Sequence, residues 1–409
     1  MRDAYGGRPA VMSEADYLAE RARVDAWIAT DLEVAMGESE YGRSLYSAWQ
    51  ASSRPIGRLL EDSFAKIPSG LGLYNMALTG ALRSGEADSY YKAMLMQALA
   101  LVQAADRAKN GVAIEKVRIT FLPSNTRYAA IYEPYVAKGW LVIGIDWGML
   151  CATMTVAAVV SHCLQGRFEP GRSEISWLLT PESAIAHFDA HPKLMAMWVE
   201  GLTPAIIPSL PPVAPQFPTE PHRSAFGVML LKAMIFGLVA HEYGHAMRNH
   251  MNDERRATEL RAQIEHEADA MSIFLAMCDP WKVLARTSDE YIPHQRYVAV
   301  ASCLLLQSML KHLQIGDRMV DDLTGRRPRT STHPDPIERF RALRQIIDLI
   351  VPAGSVQRRE IDRFSSFLIN LLDGIWNRST GALFGHLQQQ RELQVTPAEA
   401  VRGSELKFL

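Results

Sequence analysis

Cysteine is scarce in this chain. Four occur in 409 residues (Cys151, Cys163, Cys278 and Cys303), none is spaced as C-x-x-C, and each sits among apolar neighbours. That excludes a disulfide framework or a zinc ribbon and leaves buried, reduced thiols. A charge excess is also missing. At a net charge of −2 no strong field draws nucleic acid or an anionic membrane, so no nucleic-acid partner is expected. Long apolar runs are few. The most apolar stretch, Phe226 to Ala240, is interrupted by Lys232 and falls short of the about twenty residues that span a bilayer. No transmembrane span is expected. Met1 to Gly7 opens no hydrophobic signal segment, so a cytoplasmic location is the expectation. The remainder, 48% hydrophobic and 22% charged, is an ordinary globular composition, in a length that holds two or three domains or one large one with extensions.

Against this plain background stands His241-Glu242-Tyr243-Gly244-His245, which reads H-E-x-x-H. Residues four apart on a helix lie on one face. His241 and His245 can therefore aim two imidazoles at one ion, with Glu242 beside them to handle a water proton. By composition the pattern arises in roughly one chain in fifty of this length, so its context decides. The blander alternative is a solvated helix end that carries two histidines. The residues before it argue otherwise, because Phe226 to Ala240 are almost all apolar and form a helix buried nearly all round. Ionisable groups at the edge of such a core persist when paired or bound to metal.

A catalytic zinc takes three protein ligands and leaves a fourth position for water. Glu265, on a second expected helix after a polar turn near Asn252-Asp253, is the candidate third ligand. Asp269 lies four residues on, facing the same way, where it can accept the remaining ring N–H of a ligand histidine. Another zinc-protease pattern places a third histidine six residues after the second. Those positions hold Arg248 in place of glycine and Met251 in place of histidine, so that pattern fails. His250 is off register and reads as a surface residue or one behind the ligands. His266 reads as structural.

Taken together, His241-Glu242-Tyr243-Gly244-His245, Glu265-His266-Glu267-Ala268-Asp269, and Ser331-Thr332-His333-Pro334-Asp335-Pro336 with Arg339 and Leu343 resemble the zinc metallopeptidase family of the heat-shock protease HtpX and the CAAX prenyl proteases. The likeness covers about a third of the chain, from Ser224 to Ile350. It implies one zinc ion on His241, His245 and Glu265, Glu242 as general base, and Asp269 behind the ligands. It also implies an α+β, predominantly helical fold with a zincin-like core and a small β-sheet beside the H-E-x-x-H helix. The implied activity is that of a zinc-dependent endopeptidase acting on protein or peptide substrates through zinc-activated water. Many members of the family carry spanning helices, and this chain resembles a soluble one. The same likeness brings the Thr332-His333-Pro334 segment near the site, making His333 a candidate contact for the developing oxyanion. Arg339 is expected to pin that loop by an ion pair.

The rest of the chain divides into a helical region 1–112, a sheet-bearing region with a proline-rich connector 113–222, core helices 223–352 and a C-terminal helix and tail 353–409. Helices are expected from Ser13 to Met36, Ile56 to Ala65, Asp88 to Arg107, Cys151 to Leu164 and Tyr297 to Leu313, then in two amphipathic stretches, Pro336 to Val351 and Val356 to Trp376. Strands are expected at Val117 to Leu122, Tyr128 to Tyr132 and Trp140 to Trp147, and one of them is a candidate edge for pairing with substrate backbone. His162, on an apolar helix, reads as a core residue. Prolines crowd between Thr203 and His222 and exclude a helix or central strand there. The last thirty or so residues are polar and read as a loose or docked tail. Two further functions fit the same residues. One is a single-target defence or regulatory peptidase resembling the phage-exclusion protease Lit. The other is an inactive zinc-stabilised scaffold, against which the free base Glu242 argues.

Overall fold

The computed structural model describes residues 13–32, 90–122, 129–168, 175–178, 180–207, 215–250, 261–278, 295–325 and 334–398. The expected helix Ile56 to Ala65, the turn at Asn252-Asp253 and His333 lie outside them. The fold is predominantly helical with a small sheet, an α+β architecture. Helix α1 (Glu14–Trp27) is capped by Ser13, whose hydroxyl accepts the Asp16 N–H at 3.1 Å, and it ends in a π-helical turn, Ile28–Leu32. Helix α2 (Tyr90–Asn110) follows.

Among the described residues, β1 (Val117–Leu122), β2 (Ala129–Tyr132) and β3 (Leu141–Asp146) form a sheet in the order β1-β3-β2. β1 runs parallel to β3, with Ile119 opposite Ile143, and β2 runs antiparallel to it, with Ile131 opposite Ile143. Side chains alternate across the pleat. Val117, Ile119, Phe121, Ile143 and Ile145 enter the main core. Leu122 and Val142 join Trp140, Val24 and Ile28 in a smaller cluster under α1. Lys116 and the Trp140 indole both bond Glu20 at 2.8 Å, and Arg118 bonds Asp25 at 2.7 Å, tying α1 to the sheet.

β3 leads directly into α3 (Trp147–Cys163), four residues earlier than expected and buried on nearly every side. A hairpin, β4 (Gln165–Phe168) with β5 (Ile175–Leu178), was not anticipated by the sequence reading. Helices α4 (Pro181–Asp189) and α5 (Pro192–Ile206) come next, and α5 carries Pro204 inside its last turn. The proline crowding therefore breaks the helix at Ile207, not at Thr203. Proline two residues from a helix end removes one hydrogen bond that the fraying end holds weakly.

Helix α6 (Pro221–Met247) carries the motif, with Pro221 in its first turn, where the missing N–H is tolerated. Helix α7 (Arg261–Met277) packs along it. Helices α8 (Gln295–Thr324) and α10 (Val356–Ala398) both run well past their expected ends, and α9 (Pro336–Ile350) packs on α7 and α8. The extension of α10 follows from Ser379, Leu383 and Leu387, which repeat every four residues and are buried. One core joins side chains from Ala93 on α2 to Leu387 on α10, drawing on all four regions of the sequence.

Among the described residues two helical segments, Phe226–Met247 and Tyr297–Thr324, are long and apolar enough to cross a membrane. Lys232 does not bring the first below that length, contrary to the sequence expectation, because the helix continues through the motif to Met247. Both segments are mostly buried inside the protein, as the core helices of soluble proteins also are. Lys232 itself is buried, and burial pushes its amine well below the ordinary lysine value.

Candidate metal centre

The last turns of α6 bring its ionisable residues to the edge of the core. What sets them there is a close approach of two helices. A Cβ on Gly244 would sit 3.0 Å from the Ala268 carbonyl oxygen and 3.0 Å from Met271 Cβ, so only glycine lets α6 and α7 lie this near. Ala268 is fully buried in that contact, and Glu265 stands one turn before it. On the opposite side Tyr243 fixes the roll of α6. Its hydroxyl donates to Asp106 Oδ2 at 2.7 Å and accepts the Ile114 N–H at 2.7 Å, while Asn110 donates to Asp106 Oδ1 at 2.7 Å. With Tyr243 held against α2, His241 and His245 face α7.

The three candidate ligands converge. His241 Nε2 lies 3.2 Å from His245 Nε2 and 3.3 Å from Glu265 Oε2, and His245 Nε2 lies 3.7 Å from Glu265 Oε1. Among the described residues this is a group able to hold a metal, its ligand atoms all within 4.8 Å of one another. A tetrahedral ion with bonds of about 2.05 Å has donor atoms about 3.3 Å apart, so the spacing and the N, N, O donor set suit zinc. Glu242 Oε1 stands 4.0 Å from His241 Nε2 and is not one of the three.

Charges behind the ligands orient them. His241 Nδ1 lies 2.9 Å from Asp269 Oδ1, so in the neutral ring that a metal would bind, Nδ1 carries the proton and Nε2 presents the lone pair. Arg339 grips Asp269 with two bonds, Nε to Oδ2 at 2.8 Å and a terminal nitrogen to Oδ1 at 2.7 Å, and reaches Glu265 at 3.5 Å. Its expected role as a loop pin understates this position: Arg339 is buried and belongs to the cluster. His250 is buried, not at the surface, with Nδ1 2.9 Å from His245 Nδ1. His333 lies outside the described residues, and His266 is not part of the ligand group.

The electrostatics favour a cation. Glu242, Glu265 and Asp269 face one guanidinium. Burial opposes charge on His241, but the Asp269 and Glu265 carboxylates outweigh it and lift its pKa to about 10. Burial and the charge on His241 push His245 down to about 3. Glu265 is held below the ordinary carboxylate range by His241 and Arg339 in spite of its burial, and Asp269, also against burial, is held at about 2 by Arg339 and His241. Glu242 is pushed up to about 7, first by burial and then by the Glu265 and Asp269 charges.

β2 is an outer strand of the described sheet and packs on α6. Its Tyr132 lies within the field of Glu242. Burial, then Asp146 and Glu242, raise the phenol to about 12, so it keeps its proton. Neither Tyr132 nor the pair Asp106 and Tyr243 was singled out from the sequence. Asp106 and Tyr243 are 137 positions apart, with no local pattern to join them. No family model matches the chain, and comparison with curated proteins and with solved structures finds no match.

Proposed function

We propose that this protein is a zinc-dependent endopeptidase whose ion is held by His241, His245 and Glu265. The observation that carries this reading is the convergence of the three groups, with His241 Nε2 3.2 Å from His245 Nε2 and 3.3 Å from Glu265 Oε2, and His245 Nε2 3.7 Å from Glu265 Oε1, beside a buried carboxylate left outside them. A closed structural zinc site uses four protein ligands. Three ligands and a nearby base are the pattern of a hydrolytic one.

A zinc ion held there supplies Lewis acidity, giving a nucleophilic water at neutral pH and a polarised scissile carbonyl. The protein's own groups do the rest. Glu242, a buried carboxylate outside the ligand set, accepts the proton of the attacking water and returns it to the leaving amine. Asp269, itself gripped by Arg339, holds the His241 ring so that Nε2 faces inward. β2 offers an unpaired strand edge to an extended peptide among the described residues. The protonated Tyr132 is a donor for the oxyanion on that same edge, alongside the earlier candidate His333. On this reading α6, α7 and the sheet make up a zincin-like core, as the resemblance to the HtpX and CAAX protease family implies.

Metal analysis and digestion of casein test the proposal together. Glu242→Gln retains zinc and loses cleavage, whereas His245→Ala loses the metal. Full activity in the glutamine variant would remove Glu242 from its role. Bound zinc with no cleavage of any unfolded substrate would favour a metal-stabilised scaffold.

A further inference from the structure

Behind His245 lies a chain of polar contacts that the hydrolytic reading does not use. Helix α6 stops at Met247, and Asn249 adopts a left-handed conformation, φ 56°. Asparagine tolerates that region better than most side chains. The turn folds the backbone back, so that His250, five residues after His245, comes to lie against it. His250 Nδ1 is 2.9 Å from His245 Nδ1, and His250 Nε2 is 3.2 Å from Glu267 Oε2. Gln263 donates to the other oxygen, Glu267 Oε1, at 2.9 Å. His250 is buried to within 5% of full cover.

Proton placement along this chain follows from the ligand role of His245. A histidine that gives its Nε2 lone pair to a metal carries its ring proton on Nδ1. Two facing Nδ1 atoms need one donor and one acceptor, so His250 Nδ1 accepts. The His250 proton then sits on Nε2 and points at the Glu267 carboxylate. Each link has one donor and one acceptor.

We infer that His250 and Glu267 are positioning residues for the metal centre, holding His245 in its ligating tautomer through a two-step relay. The inference rests on the reading of His245 as a zinc ligand. It gives the two histidine ligands matching supports. His241 meets its carboxylate, Asp269, directly, and His245 meets Glu267 through an intervening imidazole. Helix α7 supplies both carboxylates as well as the third ligand, Glu265.

Zinc affinity, measured by chelator competition on the 409-residue chain, is the test. Loss of an outer partner of a ligand histidine weakens metal binding by about 10- to 100-fold. His250→Gln keeps a donor toward Glu267 at the Nε2 position but places no acceptor at the Nδ1 position that faces His245, and is expected to fall in that range. His250→Asn keeps an acceptor at the Nδ1 position and is expected to retain most of the affinity. Glu267→Gln, a change at a partly exposed residue, is expected to weaken zinc in the same direction by less. The visible spectrum of the cobalt-substituted protein shifts for His250→Gln and stays near wild type for His250→Asn. A purely space-filling His250 predicts equal loss in both variants and no effect at Glu267, and that result overturns the relay. Wild-type affinity in His250→Gln overturns it as well. A wild-type protein that binds no zinc removes the metal centre itself, and the relay with it.

Discussion

Replacing Gly244 by alanine sets two opposed effects against each other. Alanine is the better helix former by about 1 kcal/mol, which favours the variant. Against this, the new methyl would lie 3.0 Å from the Ala268 carbonyl oxygen and 3.0 Å from Met271 Cβ, where ordinary contact begins at 3.4 Å. The carbonyl is backbone and cannot rotate away, so α6 and α7 must part by about 0.4 Å, the difference of those two distances. Overpacking of this kind costs about 1–3 kcal/mol. Stability without metal therefore changes by a net loss of roughly 0–2 kcal/mol. The proposed metal site is less forgiving. Its bond lengths tolerate about 0.2 Å, and the carboxylate of Glu265 rides on the helix that is displaced. Zinc affinity is expected to fall at least about tenfold, or 1.4 kcal/mol, with the melting temperature of the metal-free protein nearly unchanged. Chelator competition and thermal melting on the same samples separate the two. Wild-type zinc affinity in Gly244→Ala would refute the idea that this glycine sets the distance between the ligands.

Two other outcomes follow from buried or partly buried charge. Arg339→Met leaves Asp269 buried without its guanidinium and is expected to lower stability by about 3–5 kcal/mol in denaturant titration, Arg339→Lys recovering only part because an ammonium cannot make the paired bonds; an unchanged midpoint counts against the cluster. Acid is expected to loosen the contact between α8 and α10, where Asp373 Oδ1 meets His312 at 2.6 Å, Lys311 at 2.8 Å and Ser308 at 3.3 Å, and His312 stacks on Trp376. Burial holds His312 below its ordinary 6.5 despite Asp373, so its share of stability is complete above 6.5 and erodes below it. Asp373 is held at about 2 by His312 and Lys311 against its burial, so its share is complete above 3.8 and is lost as the pH falls toward 2. Melting temperatures from pH 8 to 2 should decline in those two windows, and Asp373→Asn should remove the lower one; an identical acid limb in that variant contradicts the assignment.

What the sequence made legible is the part governed by regular spacing. His241 and His245 could be paired because four residues is one helical turn, and Glu265 with Asp269 for the same reason. The alternation in Val117–Leu122 and Leu141–Asp146 showed strands, and the register sorts their side chains onto two faces as that alternation requires. His250 was left between the surface and a place behind the ligands because periodicity assumes that a helix continues. One left-handed residue, Asn249, ends that assumption and turns an off-register position into a neighbour of His245. Tyr243 and Asp106 meet across 137 positions, which no local pattern encodes. The hairpin Gln165–Phe168 with Ile175–Leu178 has strands of four residues each, too short for alternation to stand out. The ends of α8 and α10 were placed early because beyond Leu313 and Trp376 the sequence turns mostly polar, with apolar residues only every few positions.

The burial of Arg339 among the ligands also has a bearing on timing. Ribosomes deliver Asp106 and Tyr132 first, the two histidines and Glu265 much later, and the guanidinium that balances the carboxylates last of all. Until helix α9 has been made and has docked, Glu265 and Asp269 lack that guanidinium. On the proposed peptidase reading, the site is complete only once the chain through Arg339 has been made.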